Sequence, residues 1–556
     1  MEQATGTGYE YGTIVLIGLG AYMVILLGIG WWASKRVVSE SDYLVAGRRL
    51  GLVLSTGALI ATWYGAGTTM GAAGAAFTFG NQGVLFDPYG AALCLIVVGL
   101  VFARLVRRGR YLTMVDLFGL RYGKHMGLAA GFAIVIAEMG WVGALLVGFG
   151  TIIEFFTGLP LGWGIGLGTV VLVIYTYLGG MWALTLTDAL QMAIIILSMV
   201  VMLLIAVPLA GGWDAVFDTS AANNMLNLNQ WDFFPTSAAN ADPEYGNAGF
   251  LYYTGHMGWF YWAAALMAIG FGSITAQDLA QRMLSARDER TSVWSCIIAG
   301  VLYLVLGLVP VILGMIAFKL YPDLGFEDVK NKVLLIMAAE HLPLIGVVLF
   351  VCGLVAALMS SAAAAILAAA SIIGYNGMTT FNPEVSDKTT LFVTRLCVPI
   401  ITAAALVLAL RFETIYNLMV VAWTVLLVGL FAPYVAAFFW KKANGMGALA
   451  AFIAGFAVWI FAYYLYLPAT MAANTDVVPG VEGVYFDWAM WDALYIASIW
   501  GLLASIVCLV VFSLLTQRID PPQPIVDIDR QPLDTGDWFG PAALTGDRGE
   551  VEAAAE

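Results

Sequence analysis

Runs of about 20 apolar residues recur along the chain, separated by short polar or basic segments, and a run of that length crosses the hydrocarbon core of a bilayer as a helix. About thirteen such spans are predicted, near 12–33, 51–77, 84–105, 127–156, 160–178, 182–209, 257–281, 292–318, 343–376, 389–410, 414–440, 445–467 and 490–515. Two of them break in the middle. The span at 51–77 carries Thr62-Trp63-Tyr64-Gly65-Ala66-Gly67, and the span at 257–281 carries Gly270-Phe271-Gly272-Ser273-Ile274-Thr275. Backbone at membrane depth departs from helix only where protein or a cavity satisfies it. Glycine-interrupted segments at matching places in two halves therefore point to the binding site of a transporter.

Composition agrees with a chain solvated mostly by lipid. Charged residues make up 11% of 556 positions, against roughly 25% in soluble domains. The basic residues sort by face. Lys35, Arg36, Arg48 and Arg49 follow the first span, and Arg104, Arg107, Arg108, Arg110, Arg121 and Lys124 lie between the third and fourth. Arg282, Arg287 and Arg290 follow the seventh, and Lys441 and Lys442 the eleventh. With thirteen spans all of these share one side, opposite Lys319, Lys330, Lys332 and Arg411. The positive-inside rule makes the crowded side cytoplasmic, with the N-terminus outside and the C-terminus inside a cell (inner) membrane.

The net charge of −13 comes largely from outer loops and the tail. The loop 210–256 holds Asp214, Asp218, Asp232, Asp242 and Glu244 without a lysine or arginine; it is an acidic surface suited to salt, or a funnel for cations. Neither reading suggests nucleic acid. Five scattered cysteines read as small hydrophobes without disulfide or metal spacing. The three histidines (His125, His256, His341) lie near span ends. No Ser/His/Asp, Cys/His or metal-ligand constellation stands at catalytic spacing, so the chain is not expected to be an enzyme. A channel filter needs repeated rings of carbonyls or charges, and none recurs. The start lacks a basic n-region, which predicts an anchor in place of a cleaved signal. The tail from Thr516, rich in Pro, Asp and Gly, is expected to be disordered and too short for a signalling domain.

Four segments resemble, in order and in spacing, the sodium:solute symporter family. They are Gly47-Arg48-Arg49-Leu50-Gly51 after Ser41-Asp42-Tyr43; Thr187-Asp188-Ala189-Leu190-Gln191; Gln281-Arg282-Met283-Leu284-Ser285; and Ala357-Leu358-Met359-Ser360-Ser361. The resemblance implies an all-α polytopic protein with a LeuT-type inverted repeat of five plus five helices. The parts would be 1–50 (an extra helix and cytoplasmic lead), 51–209 (first repeat), 210–256 (outer loop), 257–440 (second repeat), 441–515 (two extra helices) and 516–556 (tail). It also implies a secondary active symporter that imports a small organic solute with sodium by alternating access. A proton-coupled carrier of the same fold, dependent on Glu138 or Asp188, and a sodium or solute sensor are the alternatives.

Sodium is a hard cation and takes oxygen ligands, as calcium and magnesium do. Ala357, Ser360 and Ser361 share one helical face by their i, i+3, i+4 spacing. That face offers two hydroxyls and a carbonyl. The family motif places the partner carbonyls at Ala61 and Tyr64 and an ion exit path at Asp188. The bland alternative has both serines bonding back to their own helix, and Asp188 serving as a carboxylate at a helix N-terminus. Because Ala362-Ala363-Ala364-Ala365 follows Ser361, a single sodium per cycle is expected. One charge moved through 100 mV is worth about 2.3 kcal/mol, roughly a fortyfold concentration of a neutral solute at about 1.4 kcal/mol per factor of ten.

The nearest visible branch is that of the high-affinity choline transporters, through Ala61 to Gly67, Glu138-Met139-Gly140-Trp141 and Tyr111 to Asp116. It makes a quaternary amine one substrate candidate and Trp63 and Trp141 two cage walls, by cation–π attraction. Three other walls of that cage align with Ala91, Ala276 and Met419. Trp259, Trp262, Tyr416 or Trp423 can replace them, and Trp423 is taken into the candidate set. Gly65, Ser273, Thr275 and Gln277 complete that set from the two breaks. Glu138, an ionisable residue inside its span, is either a functional group or a carboxyl bonding across helices.

Overall fold

The computed structural model describes residues 10–34, 40–218, 229–235, 251, 253, 255–382, 384–412, 414–475 and 486–539. Lys35, Arg36, Asp242, Glu244, the His256 side chain and residues 540–556, all invoked above, lie outside them. A chain in lipid must satisfy its backbone within each segment, and the described residues are helical accordingly, with isolated bridges in place of strands. The main elements begin with α1 (Gly12–Ser34), α2 (Leu52–Trp63), α3 (Ala72–Phe79), α4 (Ala91–Val97) and α5 (Met114–Tyr122). Next come α6 (Lys124–Thr157), α7 (Leu161–Leu209), α8 (Gly255–Gly272), α9 (Gln277–Ser285) and α10 (Glu289–Leu320). The last are α11 (Leu344–Ser371), α12 (Asp387–Arg411), α13 (Ile415–Leu426), α14 (Gly445–Ala473) and α15 (Phe486–Leu515).

Among the described residues, eleven helical stretches are long and apolar enough to cross a membrane. Thirteen spans are expected from the sequence; Leu52–Trp63 and Leu161–Tyr177 are apolar but shorter than that length. The helix α2 stops at the first break, and α7 bends at Gly180, whose φ of +59° lies in the left-handed region. A Cβ there would also come within 2.5 Å of the Tyr43 ring, so glycine serves both the bend and the close approach.

The interior is formed by α2, α6, α7, α11 and α13, which pack on one another. The middle of α11, from Val351 to Ala370, is buried on all sides except partly at Cys352. The hairpin of α14 and α15 packs outside this core and exposes Ile453, Ile460, Phe461 and Tyr464. Exposed apolar side chains at such positions suit contact with lipid tails.

The basic segments assigned to one side by sequence do meet. Arg48 donates to the Arg110 carbonyl at 2.5 Å, and Arg107 to the Ala286 carbonyl at 2.7 Å. Arg108 pairs with Glu289 at 2.9 Å. Leu50 forms a parallel bridge to Ala286, which joins the lead into the first broken span to the exit from the second. Residues 516–539, expected to be disordered from composition, are instead laid across this basic face. Arg121 donates to the Gln523 carbonyl at 2.5 Å, Tyr111 to the Val526 carbonyl at 2.6 Å, and Arg104 to the Asp537 carbonyl at 3.1 Å. Arginines already fixed in the bundle supply the donors, so the segment is ordered without helical periodicity of its own.

Candidate functional site

Both predicted breaks are present. In the first, Tyr64 leaves the helix (φ −77°, ψ 70°), and the Gly65 N–H turns to the Trp63 carbonyl at 2.8 Å. In a continuous helix that N–H would bond the Ala61 carbonyl, which is thereby released. The helix resumes through a wide turn at Gly67–Gly71 into α3. In the second, α8 tightens at Ser273–Thr275, and Ala276 is extended (φ −67°, ψ 141°) before α9 begins.

The released Ala61 carbonyl faces α11. Ser361 Oγ lies 3.3 Å from it, longer than the 2.5–3.0 Å usual for a hydroxyl donor. One residue earlier, Ser360 Oγ donates to Asp188 Oδ1 on α7 at 2.6 Å. Asp188 is fully buried, and its Oδ2 has no partner. The serines do not bond back to their own helix; they reach across to two other elements. Gly65 is pressed into the same corner, where a Cβ would stand 2.8 Å from Ser361 Oγ and 3.0 Å from the Trp141 ring. Ala357 lies one turn earlier on α11 and is buried. This corner gathers neutral and anionic oxygens from α2, α7 and α11. Its donor set is the kind a hard monovalent cation takes, with the orphaned Asp188 oxygen still to be satisfied.

Next to this corner a small cavity lies between the two breaks. Trp63, Trp141, Trp423 and Tyr303 line it, with Asp87 and Asp278. The Trp63 and Trp423 rings are stacked with centroids 6.3 Å apart and planes within 9°, and Trp141 stands at 50° to Trp423. Ala91 and Met419, two of the three positions expected to lack an aromatic wall, also line the cavity. The tryptophans and both aspartates are at most 7% exposed.

The other candidates have different surroundings. Gln277 faces away from the cavity: its Oε1 accepts from the Met114 N–H at 2.7 Å and its Nε2 donates to the Leu112 carbonyl, fixing the start of α5. Glu138 accepts the Asp278 N–H at 3.1 Å and so caps α9, the half-helix beyond the second break. Thr275 bonds back to Gly272 at 3.2 Å, and Ser273 Oγ is buried without a partner. Trp262 donates to the Phe233 carbonyl in the outer loop, and Trp259 is half exposed; neither substitutes for a missing wall.

Sequence reasoning missed Asp87, Asp278, Tyr303 and Thr68. Asp278 is adjacent to the chosen Gln277 but turned by about 100° around its helix. Asp87 lies in a second irregular stretch, Leu85–Gly90, and was readable as an ionisable residue inside a predicted span. Tyr303 sits on α10 without any local mark.

Known proteins resemble this chain over most of its length. A profile of the sodium:solute symporter family matches residues 43–455. The High-affinity choline transporter 1 of Caenorhabditis elegans is 26% identical, covering 79% of this chain and 76% of that protein. The Sodium/pantothenate symporter of Escherichia coli is 25% identical over 79% of this chain and 89% of its own. A solved structure of a Na+-coupled sialic acid symporter, substrate-bound and outward-open, superposes with a TM-score of 0.70 at 17% identity, covering 92% of this chain and 99% of that one. The chain has the fold of these carriers, and it belongs to the sodium:solute symporter family.

Proposed function

We propose that this symporter carries one sodium ion inward with one small organic solute, the ion at the corner of Ala61 and Ser361 and the solute in the tryptophan cavity. The carbonyls of Ala61, Tyr64 and Ala357 and the hydroxyls of Ser360 and Ser361 hold the ion. Asp188, bonded to Ser360, supplies the negative charge and the first step of the exit path. The observation that carries this reading is Ser361 Oγ standing 3.3 Å from the carbonyl released by the first break. An ion between these oxygens satisfies groups that the protein leaves loosely paired.

The two sites share one broken segment. Ala61 and Tyr64 serve the ion, Trp63 serves the solute, and Gly65 touches both Ser361 and Trp141. Binding of sodium fixes the break, and a fixed break fixes the Trp63 wall; this is positive coupling through a shared element. Alternating access then moves the repeat 51–209 against the repeat 257–440 around the midplane, with the N-terminus outside and the C-terminus cytoplasmic. The relatives are named for choline and pantothenate, which differ in chemistry, so the solute is read from the cavity itself. Trp63, Trp141, Trp423, Asp87 and Asp278 among its lining residues set what the cavity can bind.

The test is uptake into proteoliposomes under separate sodium and proton gradients. Accumulation that follows the sodium gradient and its electrical component supports the reading. Accumulation driven by a proton gradient without sodium, and lost in Asp188→Asn but not Ser361→Ala, replaces it with proton coupling.

A further inference from the structure

Asp87 is the group in the cavity that the ion-and-solute reading leaves unused. It is 2% exposed, and its two oxygens are already held. Thr68 Oγ1 donates to Oδ2 at 2.7 Å, and Tyr303 donates to Oδ1 at 2.8 Å. The same Tyr303 hydroxyl lies 3.1 Å from the Trp63 carbonyl, an alternative acceptor for its one proton, and against Thr68. A carboxylate has about four acceptor positions, so two remain. Among the described residues no lysine, arginine or histidine pairs with Asp87. The second cavity carboxylate differs: the guanidinium of Arg282, one turn along α9, acts on Asp278 and donates to its carbonyl at 3.1 Å.

A buried carboxylate oriented by hydroxyls yet lacking a cation is costly unless a partner arrives. The walls around it indicate which partner. Stacked indoles present negative π-faces that attract cations and repel anions. Trp63 Nε1 is also buried without an acceptor, a donor for an oxygen of the same ligand. We infer that the transported solute is a small protonated amine whose N–H groups bond Asp87 while its carbon substituents pack on Trp63, Trp141 and Trp423. The inference rests on the reading of this cavity as the solute site. A quaternary ammonium has no N–H to offer and leaves the free lone pairs of Asp87 desolvated, which ranks it below the amine that differs by one methyl group.

Thermal stabilisation of the purified full chain tests this. The probes are small protonated amines such as ethanolamine and dimethylethanolamine, the quaternary counterpart choline, and the neutral isostere 3,3-dimethylbutanol, each titrated in sodium. The expected result is that a protonated amine binds at least tenfold more tightly than choline, that the neutral isostere gives no shift, and that Asp87→Asn abolishes the preference. Thr68→Val removes one bond to Asp87 but keeps the charge, and it retains the preference. Equal binding of the amine and neutral probes, a choline preference, no binding of any amine, or equal loss in Thr68→Val and Asp87→Asn overturns the inference. Sodium titrated alone on the wild-type chain separates the two claims. Absence of any sodium effect there fails the ion site, whereas a sodium effect without amine selectivity fails only this assignment.

Discussion

The corner proposed for the ion and the cavity proposed for the solute are neighbours on the same broken segment, yet they are built in opposite ways. The ion corner uses backbone carbonyls and small hydroxyls from three elements, with one carboxylate behind them. The cavity uses large side chains from the first break, α6, α10, α13 and the irregular stretch at Leu85–Gly90. The ion asks only for oxygens at one spacing, and a helix with two adjacent serines meets that demand locally. A solute asks for shape, and shape is distributed over the fold. The comparison teaches where coupling and cargo separate: walls from α10 and α13 can be replaced without touching the corner, whereas Trp63 and Trp141 stand beside it.

The strongest way to break that contrast is at the corner. Asp188→Asn removes the carboxylate bonded to Ser360 and is expected to abolish sodium-driven uptake while the protein still inserts; full uptake in this variant would remove Asp188 from the ion's path. Trp63→Ala takes away the wall stacked on Trp423 and loosens the break itself. Uptake assays should show at least a tenfold rise in half-saturating solute, larger than for Trp141→Ala, which meets Trp423 only at an angle. Equal small effects of the two would detach the cavity from the break.

A smaller effect sharpens the boundary of the site. Gln277→Ala leaves the buried Met114 N–H without its acceptor, worth about 1–3 kcal/mol of stability, and is expected to lower the melting temperature with little change in solute affinity. A selective loss of affinity would return Gln277 to the cavity. The smallest effect belongs to the strap over the basic face. Asp534→Ala removes an exposed partner of Arg108 at 3.9 Å, and such pairs contribute about 0–1 kcal/mol, so neither melting temperature nor uptake should move measurably.

The residues proposed for the ion are more legible in the sequence than the cavity, for a physical reason. The breaks are marked by glycines inside apolar runs, and Ser360-Ser361 lies on the face opposite them; both signals are local. The cavity depends on which faces of distant helices converge. Trp423 was reachable only as one of several spare aromatics, and Asp278 differs from Gln277 merely by a rotation about α9. Tyr303, in an apolar stretch of α10, is tied to the break by a contact across 240 residues, which no periodicity reveals. Residues 516–539 were misread because their order comes from Arg104, Arg108 and Arg121, supplied by another part of the chain.

The most direct measurement is a sodium titration of the purified protein, with potassium as control, read by thermal stability in the wild type and in Ser361→Ala. The predicted result is stabilisation by sodium alone in the wild type and a midpoint at least tenfold higher in the variant. Identical sodium curves for the two proteins, or equal stabilisation by potassium, would contradict an ion held between the Ala61 carbonyl and Ser361.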